Sequence, residues 1–106
     1  HTSNQIMTFG GLYSTWVSKN KETVYTFTII TTEPNSSLSY IHHRMPLILD
    51  KGDDIKWIDN NSYDSVKELV KPIDDNLINM HEVSTLVNSV RNNTSEVQIK
   101  TVNRLF

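Results

Sequence analysis

Runs of β-branched and aromatic residues dominate the first half of the chain, separated by short polar breaks. Residues 6–13 are apolar and β-prone but carry the pair Gly10-Gly11, where backbone must bend or pass close to other backbone. A strand with a bulge or a close contact is predicted there. Residues 18–22 are polar throughout and lie between two β-prone runs, as a hairpin loop does. Residues 24–32 contain no glycine or proline and form the strongest strand signal in the chain. Tyr25, Phe27, Ile29 and Thr31 fall on one face, and Val24, Thr26, Thr28 and Ile30 on the other. Both faces carry apolar residues, so a central strand, at least partly covered on both sides, is expected. Residues 33–37 include Pro34 and end that strand, and their Asn and Ser side chains can cap a short helical turn through Leu38, Tyr40 and Ile41. The next strand is predicted over residues 45–49.

The second half changes rhythm. Asp50 and Asp53 flank Gly52 ahead of Ile55, Trp57 and Ile58, and acidic residues at a helix start suit the dipole, so a short helix is predicted. Ser62 is a good N-cap for a second helix, in which Val66, Leu69 and Val70 share a face and Pro72 closes the element. The tail mixes Val83, Leu86, Val87 and Val90 with polar residues, and residues 97–102 alternate as a strand does. The order of elements predicts an α+β fold, with no internal repeat or low-complexity block.

Composition sharpens this picture. The chain has the length of one domain, 106 residues, yet only 37% of them are hydrophobic. Adding three glycines leaves the apolar share below the roughly 45–50% usual for soluble domains. Strands this apolar with so thin a core imply that a further segment completes the fold. A formal charge of −2 argues against a general polyanion binder, so any nucleic-acid contact should be local. Cysteine is absent, so these residues can form no disulfide, thiolate nucleophile or zinc ribbon. No apolar run approaches the roughly 20 residues of a membrane span, and the start lacks the order of a signal peptide. A soluble, intracellular protein without a membrane partner is expected. The N-x-S/T triplets at Asn35, Asn60, Asn92 and Asn93 are ascribed to the abundance of Asn and Ser.

The densest polar cluster between predicted elements is Ile41-His42-His43-Arg44-Met45-Pro46. Loop residues held by a rigid sheet are where function concentrates. His42 reads either as a hydrogen-bonded structural histidine beside a proline turn or as a general acid/base, since imidazole titrates near neutrality. Arg44 reads as a surface ion-pair partner or as a phosphate clamp, because guanidinium offers a planar fork of donors. Adjacent histidines in a strand point to opposite faces, and His1 and His81 are distant in sequence, so no metal site is expected. Tyr13, Trp16, Tyr25 and Phe27 can stack on bases, although core packing is their expected role. The pairs Asp53-Asp54 and Asp74-Asp75 are expected to be solvated caps.

Four ordered blocks carry a resemblance. Phe9-Gly10-Gly11-Leu12-Tyr13 through Trp16 resembles a Phe-Ala-Gly-Leu-Trp/Tyr segment of the SOS-response-associated peptidase family. Tyr25 to Asn35 resembles that family's Phe-Thr-Ile-Ile-Thr-Thr strand, and residues 41–46 its Ile-His-Asp-Arg-Met-Pro signature. Val83-Ser84, Val87-Asn88 and Arg91-Asn92-Asn93 resemble its Val-Ser, Val-Asn and Arg-Asn-Asp closing segment. His43 stands where the pattern has aspartate, and Asn93-Thr94 where it has Asp-Pro.

The resemblance implies that residues 1–106 are the C-terminal half of one domain. Its fold would be a largely antiparallel, barrel-like sheet with short peripheral helices. It implies binding to single-stranded DNA and covalent capture of abasic sites by a second-position cysteine. The α-amine of that cysteine condenses with the ring-opened sugar aldehyde, losing water to give an imine, and the thiol adds across the C=N bond to close a thiazolidine. Autoproteolysis exposes the cysteine. His42 is implied as the catalytic acid/base of ring opening and cross-link reversal, Arg44 as a DNA phosphate contact and Thr31 as a pocket-lining, DNA-binding residue. No cofactor is implied. The compartment would be cytoplasm in a bacterium and nucleus in a eukaryote. The alternative is a non-catalytic single-strand-binding relative or an inactive subdomain.

Overall fold

Three β-prone segments of the chain each break at one residue, and each changes its pairing partner at the break. The computed structural model describes residues 1–59 and 62–101. The first segment gives β1 (Thr8–Phe9) and β2 (Gly11–Val17), the second β3 (Thr23–Ile29) and β4 (Thr31–Thr32), and the third β5 (Met45–Pro46) and β6 (Ile48–Leu49). β1 pairs with β6, β2 with β3 and β4 with β5, all antiparallel. Among the described residues these pairs do not close into a barrel.

The three break residues hold one another. Gly10 N–H donates to the Leu47 carbonyl at 2.8 Å, Leu47 N–H to the Ile30 carbonyl at 2.8 Å, and Ile30 N–H to the Gly10 carbonyl at 2.9 Å. This ring satisfies backbone groups that each segment strands when it leaves one partner for the next. The close approach requires glycine. A Cβ on Gly10 would meet Leu47 Cδ2 at 2.5 Å, and one on Gly11 would meet the Thr28 carbonyl oxygen at 2.8 Å. The predicted close contact at Gly10-Gly11 is therefore present, but the strands predicted over residues 24–32 and 45–49 are each cut in two, at Ile30 and Leu47.

The core lies around this junction. Met45, Leu47 and Leu49, alternate residues of the third segment, are buried with Val66 and Ile73. α1 (Asp53–Asp59) docks here through Trp57, whose indole N–H donates to the Gly11 carbonyl at 3.0 Å. α2 (Tyr63–Val66) lasts barely one turn before a 3₁₀ turn over Lys67–Leu69, and the Ser62 side chain makes no capping bond. The helix is shorter than its apolar spacing predicts because only Val66 reaches the core.

Two expectations are corrected. The second segment is not a covered central strand: Tyr25 is 73% and Phe27 82% exposed, and Tyr13 across the ladder 81%. β2 and β3 pair only with each other among the described residues, and the face that carries Tyr13, Tyr25 and Phe27 is left open. Nor do residues 97–101, the described part of the last predicted strand, form one. Ser95–Gln98 curl into a 3₁₀ turn, Lys100 makes an isolated bridge to Val83 beside the Thr101 N–H bond to the Glu82 carbonyl at 2.9 Å, and Val102 lies outside the described residues. Alternation without a neighbouring ladder loses to local hydrogen bonds, here Val97 N–H to Thr94 O and Ile99 N–H to Glu96 O. Among the described residues no helix is long and apolar enough to cross a membrane.

Candidate functional site

The β4–β5 register places Thr31 opposite Pro46 and Thr32 opposite Met45. Thr32 and Met45 are buried, so Thr31 and its neighbour Arg44 face outward. Across that short ladder the Arg44 guanidinium grips Thr31. Nη2 donates to the Thr31 carbonyl at 2.7 Å and to Oγ1 at 3.1 Å, and Nε donates to Oγ1 at 3.3 Å. Among the described residues no carboxylate pairs with Arg44 and nothing engages Nη1. The head group is thus oriented by neutral acceptors, and its charge and two donors remain available to an oxyanion.

His42 is tied to the same residue. Its Nδ1 lies 3.0 Å from the Arg44 backbone N–H nitrogen and 2.9 Å from the Arg44 carbonyl oxygen. A ring protonated at Nδ1 donates to that carbonyl, whereas a ring with a bare Nδ1 accepts from the N–H. Either tautomer is satisfied without ring movement, and Nε2 points away from the backbone contact. The expectation that adjacent histidines diverge is corrected. Residues 42 and 43 lie in a bend ahead of β5, and their rings stack with centroids 4.6 Å apart and planes 18° from parallel. Strand alternation does not apply outside a strand.

The turn that delivers His42 is braced from the tail. Asn35 is buried; its side-chain oxygen accepts from Leu38 N–H at 3.0 Å and its amide donates to the Ile73 carbonyl at 3.3 Å. The Leu38 carbonyl accepts from Ile41 N–H and His42 N–H. Asp75 reaches over to accept from the Ser37 hydroxyl at 2.7 Å and the Ser37 N–H at 2.8 Å. Those donors, the hydroxyl first and the backbone N–H second, hold the Asp75 carboxyl below its ordinary value by favouring its charged form. Sequence reading missed this brace, since Asp75 lies 38 residues from Ser37. Asp74 does behave as the expected cap, accepting from Asn76 N–H, and Asp53 and Asp54 sit in the first turn of α1.

His42, Arg44 and Thr31 are therefore brought together on one exposed rim. The other histidines are elsewhere: His1 Nε2 lies 3.6 Å from Asp50, and His81 Nε2 contacts the Gln98 carbonyl at 3.0 Å. Among the described residues no group of His, Asp and Glu is placed to hold a metal ion. The expected core role of Tyr13, Trp16, Tyr25 and Phe27 is not met within this chain, where all four are exposed on the hairpin.

The sequence profile of the SOS response associated peptidase (SRAP) family matches residues 1–90, which include every residue of this rim. The chain belongs to this family. Among SRAP relatives it is 40% identical over 97 residues to the abasic site processing protein YoaM of Bacillus subtilis, covering 90% of this chain and 43% of YoaM. It is 42% identical over 96 residues to the abasic site processing protein HMCES of Gallus gallus, covering 87% of this chain and 28% of that protein. A crystal structure of a protein from Bacteroides thetaiotaomicron superposes with a TM-score of 0.75 at 27% identity, over 91% of this chain and 44% of that one. The chain thus spans less than half the length of these SRAP relatives. The α+β architecture agrees with that likeness.

Proposed function

We propose that this chain is the C-terminal half of an SRAP domain that processes abasic sites in single-stranded DNA, with His42 as acid/base, Arg44 as phosphate contact and Thr31 as the residue that aims it. The observation that carries the reading is the rim itself. A cation oriented by neutral acceptors and an imidazole satisfied in both tautomers sit side by side in a chain whose relatives are named for abasic-site processing. A backbone phosphate neutralised at Arg44 would bring the adjoining sugar to His42 Nε2, where proton transfer opens the ring to its aldehyde.

The nucleophile comes from outside these residues, since they contain no cysteine. Condensation of an N-terminal cysteine amine with the aldehyde releases water, and addition of the thiol to the imine carbon moves its proton to nitrogen. His42 serves the reverse reaction by returning protons as the thiazolidine opens. Peptidase activity is limited to exposing that cysteine. The other half also supplies cover for the hairpin, whose Tyr13, Tyr25 and Phe27 side chains stand largely exposed here.

The test is a denaturing gel of the complete protein with a single-stranded oligonucleotide bearing one abasic site. A shifted band that disappears when the second-position cysteine is replaced is expected. Binding without a band that survives denaturation would favour a non-catalytic single-strand binder that retains Arg44 and the aromatic hairpin.

A further inference from the structure

An exposed histidine ordinarily samples several ring orientations, and an acid/base held in one of them starts closer to its reacting geometry. In this chain His42 has a backbone tether at one edge, from Nδ1 to the N–H and carbonyl of Arg44. That tether fixes one ring atom and leaves the plane free to swing about it. The second restraint is the His43 ring, nearly parallel and 4.6 Å away centroid to centroid. A face contact and an edge contact together define the plane of an imidazole.

We propose that His43 is a positioning residue, whose ring holds the His42 imidazole so that Nε2 keeps one direction toward substrate. The inference rests on His42 being the acid/base. It acts through the flat face of His43 and not through a proton on it, which separates it from a second acid/base role. Offset stacking of this kind needs a planar ring but no particular heteroatom. Phenylalanine at position 43 should therefore substitute where alanine cannot. The groups able to compete for either ring are few: both side chains are exposed, and among the described residues the one charged residue bonded to them is Arg44, through its backbone.

The experiment compares complete wild-type protein with His43→Ala, His43→Phe and His42→Ala on a single-stranded oligonucleotide bearing one abasic site. Single-turnover rates are measured at saturating DNA, and affinity separately by anisotropy. Nitrogen-15 imidazole spectra report whether the His42 ring keeps one environment. His43→Ala should lower the saturated rate roughly three- to tenfold, as loss of one stacking contact would, with affinity little changed. It should also broaden or split the His42 ring signals, and His43→Phe should restore both rate and a single ring environment. Equal behaviour of the Ala and Phe variants, in rate or in spectra, would overturn the inference. If His42→Ala leaves the rate unchanged, the acid/base reading fails instead, and the spectra still decide whether His43 fixes the ring.

Discussion

Arg44 is held by three contacts to a single residue, Thr31, and none of them neutralises its charge. Replacing it with glutamine should weaken binding of single-stranded DNA and flatten the salt dependence by about 0.7 in slope, one phosphate's worth of counterion release. A salt titration by anisotropy checks this, and an unchanged slope would place Arg44 off the phosphates. Thr31→Val removes Oγ1 but leaves the carbonyl that accepts Nη2, so a smaller loss than Arg44→Gln is expected in the same titration. That His42 and Arg44 share a loop was legible from sequence, because a dense polar cluster between strands marks a loop on a rigid support. Their link to Thr31 was not, because it follows from the β4–β5 register across 13 residues. The His42–His43 stack was hidden for a similar reason: strand alternation would part the two rings, and only the course of the loop brings them face to face.

The elements themselves divide along the same line. The hairpin loop, the first helix and the special place of Gly10-Gly11 are local, set by polar tips, acidic starts and absent side chains, and they were readable. The breaks at Ile30 and Leu47 are not local, since each exists only because the other segments meet it there. This junction makes a sharp stability prediction. Gly11→Ala drives a methyl against the Thr28 carbonyl oxygen and should cost about 1–3 kcal/mol, seen as a lower urea midpoint. Gly10→Ala drives a methyl against the Leu47 side chain, which is fully buried at the junction, and should cost a similar amount. The Asp75 brace predicts a pH effect of definite sign. Its folded-state carboxyl is lowered from 3.8, so its stabilisation is fully present above that value and is lost as pH falls through the lower folded one. Ser37→Ala removes the hydroxyl but leaves the backbone N–H, and should lessen that acid-side loss in a pH series of urea midpoints.

At the scale of the molecule the chain is extended. Its radius of gyration is 17.6 Å and its longest dimension 60 Å, against ~13 Å expected for a compact chain of this length. The low apolar share foreshadowed this, but a sequence pattern cannot say which strand goes uncovered, and residues 24–32 looked the most central of all. The proposal that a further part of the same domain covers the hairpin predicts that amides of β2 and β3 exchange far more slowly in the complete protein than in residues 1–106 alone. If His42 moves the protons of an abasic-site reaction, its removal should show in the reversal of the cross-link. Complete wild-type protein and its His42→Ala variant are cross-linked to a single-stranded abasic oligonucleotide, moved to excess unmodified DNA and followed over time under denaturing conditions. A wild-type band that slowly disappears and a variant band that persists are expected. Equal release from both proteins would contradict this role of His42.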